Sequence, residues 1–131
     1  MMKFLVLLGR ILYSSIFIAS GIGHFTSPAV QYALAHHVPK AEILVPLSGV
    51  IALLGGLSIL LGYKARVGAW LIVIFLIPVT FMMHNFWDVQ DLNARVIQHA
   101  MFMKNLSMLG AALLIAYWGA GPCSLCKLKK K

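Results

Sequence analysis

The side chains equipped for chemistry gather in one stretch, residues 84–105. It runs from His84-Asn85-Phe86-Trp87 through Asp88, Asp91, Arg95 and His99 to Lys104-Asn105, with apolar sequence on both sides. Lys104 and Asn105 fall inside an apolar run, about 12 Å by helical rise from its outer end. A lysine at mid-membrane costs roughly 2.5–3.5 kcal/mol on insertion scales and is seldom kept without a role. Two roles are open to Lys104. One is a structural ion pair with Asp88 or Asp91 of the adjoining loop. The other is a site for an anionic or carbonyl-bearing ligand, and a quinone matches the side chains at hand. Its two carbonyls need hydrogen-bond donors, its ring needs apolar or aromatic walls, and its protons need a titratable carrier. Lys104, Asn105, Trp87 and His84 or His99 supply those types.

A second constellation is metal-like. His24, His84 and His99 come from three separate apolar stretches at similar depth, and three converging imidazoles can hold zinc or copper. Met82-Met83-His84 and His99-Ala100-Met101-Phe102-Met103 add thioethers that favour Cu(I). Methionine is also a common filler of apolar helices, and interfacial histidine is ordinary, so the pattern does not require a metal. Cys123-x-x-Cys126 has redox-motif spacing, making the two cysteines redox candidates. It follows a helix, however, and lacks the helix N-terminus that activates such thiols. One such pair provides two of the four ligands of a structural zinc site. GxSxG, HExxH, phosphate-loop and nucleotide fingerprints are absent from the sequence. The chain is expected to be at most a membrane subunit of an oxidoreductase, not a complete enzyme.

The elements that must position these residues follow from composition. Of 131 residues, 61% are hydrophobic and only 11% charged, and the mean hydropathy is +0.91. A soluble domain of this size has a polar surface to cover and rarely has such a composition. Four apolar stretches, residues 4–25, 43–62, 66–84 and 96–118, each approach the roughly 20 residues a helix needs to cross about 30 Å of hydrocarbon. Their apolar residues do not alternate as barrel strands would. The expected fold is all-α, one domain of four transmembrane helices with a basic tail over 122–131.

The net charge of +8 orients the chain and does not mark a nucleic-acid binder. Lys3, Lys64, Arg66 and the lysines at 127, 129, 130 and 131 share one side of a four-span topology. The positive-inside rule places both termini in the cytoplasm, where the tail meets anionic lipid. The five histidines and three acids lie near the opposite face, an asymmetry that the rule does not explain. Residues 4–25 resemble a signal peptide at first sight, but Arg10 interrupts the apolar core and no small-x-small cleavage site follows, so the segment is read as a retained span. On it Arg10, Ser14, Phe17, Gly21 and His24 share one helical face spanning about 21 Å. Ser15, Ala19 and Gly23 form a second, small-residue stripe suited to close helix contact. Arg10 either snorkels to the head groups or pairs inside the bundle. A short surface helix is expected over residues 29–37, started by Ser27-Pro28 and ended by Val38-Pro39, with His36 and His37 as exposed loop histidines. Ser48, Ala52 and Gly56 make a packing face on the second span, and Pro78 should kink the third.

Several of these segments together resemble the DoxX family. They are Gly9-Arg10, Ser20-Gly21-Ile22-Gly23-His24-Phe25, Leu60-Leu61-Gly62, His84-Asn85-Phe86-Trp87 and Lys104-Asn105-Leu106-Ser107-Met108-Leu109-Gly110. The similarity runs from about residue 5 to 125. It implies a four-helix bundle in the bacterial inner membrane. Some relatives are membrane subunits of thiosulfate:quinone oxidoreductase or partners in thiol and oxidative-stress complexes, and others are associated with copper-binding peptides. Family members often carry lysine where this chain has His24, and the cysteine pair is not a family feature.

The leading expectation is therefore a small inner-membrane subunit passing reducing equivalents between a soluble or membrane redox partner and the quinone pool. Its site would comprise His84, Trp87, His99, Lys104, Asn105 and His24, with Arg10 as a second polar point. Copper or metallopeptide handling and a non-catalytic scaffold, as a single chain or a homo-oligomer, are the alternatives.

Overall fold

The computed structural model describes residues 2–125; Cys126 and the lysines at 127, 129, 130 and 131 lie outside the described residues. The chain is all-helical, with no strand among the described residues. Helix α1 is Met2–Gly23, α2 Ser27–Ala35, α3 Ala41–Leu61, α4 Ala65–Met83 and α5 Leu92–Trp118, with a short 3-10 turn at Phe86–Asp88 before α5. Four of these, all but α2, are long and apolar enough to cross a membrane.

The close helix pairings run α1 with α3, α3 with α4 and α4 with α5, while α2 lies on α3. The bundle is thus an open series in which α1 and α5 meet only lightly. The expected inner face of α1 is the one that packs: its buried residues are Arg10, Ser14, Phe17 and Gly21. A Cβ on Gly49 would come within 2.8 Å of the Gly21 carbonyl, and one on Gly21 within 2.9 Å of the Gly49 carbonyl, so α1 and α3 meet backbone to backbone there. The Ser48-Ala52-Gly56 stripe joins this interface, with Ala52 wholly buried and Gly56 against Phe17 and Ile18. Phe17, Ile59, Ile72 and Leu76 are the largest fully buried apolar side chains. They close the middle of the bundle and leave the ends to polar groups.

Three expectations need correction. The small-residue stripe on α1 meets no other helix among the described residues: Ser15 and Ala19 are exposed, and nothing lies within 4 Å of a Cβ built on Gly23. The surface helix is shifted two residues toward the N-terminus, Ser27–Ala35 with Thr26 as its cap, and Ala33 anchors it against Ala41 and Val45. Finally, α5 begins at Leu92 because Asp91 caps it, accepting from the Ala94 amide at 2.8 Å. The extra turn puts Lys104 about 18 Å from the helix start, near the middle of the helix.

Candidate functional site

Two cavities open at the end of the bundle away from the termini. The larger, about 460 Å³, lies among α1, α2, α3 and α4; its walls are mostly apolar, and His24, Ser20, Ser48, Tyr32 and His84 are its polar members. The smaller, about 240 Å³, lies where α1 and α5 fail to close, and it is lined by Ser20, His84, Lys104 and Asn105 among apolar side chains. Ser20, Phe75, Val79 and His84 line both, so the two spaces adjoin. Phe17 meets Phe75 edge-on at 6.3 Å, and the His24 ring lies 5.6 Å from Phe75, making an aromatic floor.

Each histidine is fixed by a neighbour that sequence reasoning missed. Ser48 lies 2.8 Å from His24 Nδ1, and its own hydroxyl donates to the Val45 carbonyl at 2.7 Å. Gln98 Oε1 lies 2.7 Å from His84 Nδ1, while its amide nitrogen donates to the Tyr32 hydroxyl at 3.3 Å. Gln98 therefore ties α5 to α2 and to the end of α4. Its one available signal was position: it stands seven residues before Asn105, on the same helical face.

Asn105 is only 4% exposed, and its side chain forms no hydrogen bond among the described residues, although an amide offers two donors and an acceptor. Among the described residues the fully enclosed polar atoms without a partner are Arg10 Nε and Nη1 and Ser14 Oγ; the Asn105 amide instead borders open space. Lys104, beside it, is exposed, and its Nζ reaches Met101 Sδ at 3.3 Å. The expected ion pair to Asp88 or Asp91 does not form. Asp91 serves as the α5 cap, and Asp88 accepts from Asn85 Nδ2 at 2.9 Å. Both carboxylates are engaged in the turn that starts α5.

The remaining candidates fall outside the cavities. Trp87 is 46% exposed and joins an edge-to-face aromatic group with Phe86 and Phe102. His99 is exposed and rests its ring on Phe86 at 4.7 Å. One residue past Gln98, it is rotated about 100° away from the inner face of α5. The His24–His84–His99 set is consequently not assembled, and among the described residues no three His, Cys, Asp or Glu side chains gather as a metal-holding group. Arg10 faces inward at 5% exposure, but at the opposite end. Its Nη2 donates to the Cys123 carbonyl at 2.5 Å, while Nε and Nη1 find no partner among the described residues. The Cys123 thiol is free and exposed.

Set beside known proteins, the chain matches the DoxX family model over residues 5–85. That range includes His84 and Asn85 but not Phe86-Trp87 or the Lys104-Asn105 segment. It is 35% identical over 128 residues to the inner membrane protein YqjF of Escherichia coli K12, covering 96% of this chain and 92% of that protein. It is 29% identical over 123 residues to the inner membrane protein YphA of the same organism, covering 92% and 87%. No solved structure matches. Four helices fit to cross a membrane and two inner-membrane relatives of nearly equal length agree on a multi-pass inner-membrane protein, and the chain belongs to the DoxX family.

Proposed function

We propose that this protein is the membrane subunit of a quinone-linked redox system and that the adjoining cavities hold the quinone head group. The observation that carries this reading is Asn105: an amide 4% exposed, without a protein partner among the described residues, facing a space shared with Lys104 and His84. Such an amide is satisfied when a ligand oxygen accepts from it. Lys104 is a second donor for the same oxygen, and it too lacks a carboxylate partner among the described residues. The surrounding Phe17, Phe75, Leu76, Val79 and Met108 supply apolar walls for a ring. The positive-inside rule places this end of the bundle away from the cytoplasm. Electrons reach or leave the site through a redox partner.

Thermal unfolding of detergent-purified protein tests the reading. Decylubiquinone should raise the unfolding temperature of the unmodified chain, and both Lys104→Met and Asn105→Leu should remove that rise. If the quinone gives no rise, or both variants keep it in full, the reading is wrong. In the second case Lys104 and Asn105 only shape the bundle, as the scaffold alternative requires.

A further inference from the structure

We infer that the site prefers the reduced, hydroxyl-bearing form of its ligand, with His84 as the hydrogen-bond acceptor and Gln98 as the residue that positions it. The inference rests on the quinone reading above and adds which redox form is held.

The argument is an accounting of hydrogens. A carboxamide oxygen carries none, so at 2.7 Å from His84 Nδ1 the Gln98 Oε1 accepts, and Nδ1 holds the imidazole proton. In this orientation the amide nitrogen donates to the Tyr32 hydroxyl at 3.3 Å, so both ends of the Gln98 amide are used. Nε2 of the neutral ring is then a bare lone pair, with no partner among the described residues, on a side chain that lines both cavities. His24 is set the same way. The single hydroxyl hydrogen of Ser48 goes to the Val45 carbonyl, so Ser48 accepts from His24 Nδ1. Its Nε2 has only the Ser20 hydroxyl near it, at 3.5 Å.

The smaller cavity therefore offers an acceptor, His84 Nε2, beside the donors Asn105 and Lys104. A quinone carbonyl can use the donors but sets lone pair against lone pair at His84. A hydroquinone hydroxyl can use both, donating to His84 Nε2 while accepting from Asn105 or Lys104. One additional hydrogen bond, at its usual net worth, favours the hydroquinone about fivefold.

Two measurements on the unmodified protein test this. Affinities for decylubiquinone and for its hydroquinone, kept reduced anaerobically, should differ about fivefold in favour of the latter. Histidine ¹⁵N shifts should show His84 protonated at Nδ1, and a Gln98→Leu variant should lose that tautomer preference together with the affinity difference. Equal affinities, or a His84 ring protonated at Nε2, would overturn the inference while leaving the quinone site standing. If neither form binds, or Cu(I) binds in their place, both the inference and the quinone reading fall. Because the tautomer and the affinity ratio are read first on the unmodified chain, a variant that fails to fold does not remove the test.

Discussion

Two polar clusters lie inside this bundle, one at each end, and only one of them has room beside it. Near the termini, Arg10 and Ser14 are 5% and 0% exposed, and Arg10 Nε, Arg10 Nη1 and Ser14 Oγ have no partner among the described residues. At the other end Asn105 is 4% exposed and likewise unpartnered among the described residues, but its amide is not enclosed: a 240 Å³ space adjoins it. Around Arg10 the packing is closed: a Cβ on Gly62 would run into the guanidinium, and Ser124 lies against the same point. Burial and unmet hydrogen-bonding capacity are common to both clusters. Adjacent space separates a place for a ligand from a place that merely carries the cost of its own polarity.

The sharpest way to break this contrast is at Gly62, which caps α3 with a φ of +66° and leaves room for the guanidinium. Gly62→Ala should destabilise the protein by about 2–3 kcal/mol in denaturant unfolding, through backbone strain and overlap with Arg10. The protein that remains folded should bind quinone as before. Next in size, Arg10→Met should stabilise the bundle by about 1–2 kcal/mol. It removes a buried charge with unmet donors and loses one hydrogen bond, to Cys123. A loss of stability would mean that Arg10 has an anionic partner in the membrane. Asn105→Leu should stabilise by less than about 1 kcal/mol, because its amide borders open space and is not enclosed; unlike Arg10→Met, it should abolish the rise in unfolding temperature given by quinone. If both variants leave that rise intact, the two clusters do not differ in function. The smallest effect is expected on the outer face of α1, where Ser15→Leu should change stability by less than about 0.5 kcal/mol. A larger loss in native membranes would show that a second chain covers the stripe.

Much of the architecture was legible because it rests on local pattern. The inner face of α1 follows from 3.6-residue spacing, and Arg10, Ser14, Phe17 and Gly21 are buried as that spacing requires. The site was legible in part. Asn105 announced itself as an amide within an apolar helix. Gln98 did not, since its meaning depends on a ring at the end of α4 and on Tyr32, 66 residues away. The ion pair for Lys104 failed on a local competition: Asp91 is worth more as the cap of α5, which moves the helix start outward and Lys104 deeper. His99 failed on rotation, one residue from a correct face. The small-residue stripe of α1 has no partner helix among the described residues, because such a stripe shows only that a helix can be approached closely, not that this chain approaches it.

The light meeting of α1 and α5 has a consequence for how the protein encounters molecules. Toward the termini the Tyr13 hydroxyl donates to the Met108 carbonyl at 2.8 Å and fastens the two helices; beyond it, the gap beside Lys104 and Asn105 lies between α1 and α5. On the quinone reading proposed above, a ligand entering by this gap would come sideways, by diffusion in two dimensions, from a population already sorted by its solubility in oil. Water-soluble oxidants and reductants would thereby be rejected before any side chain is asked to discriminate. The few polar atoms at the opening have a narrower task, which is to distinguish among molecules that already live in the bilayer.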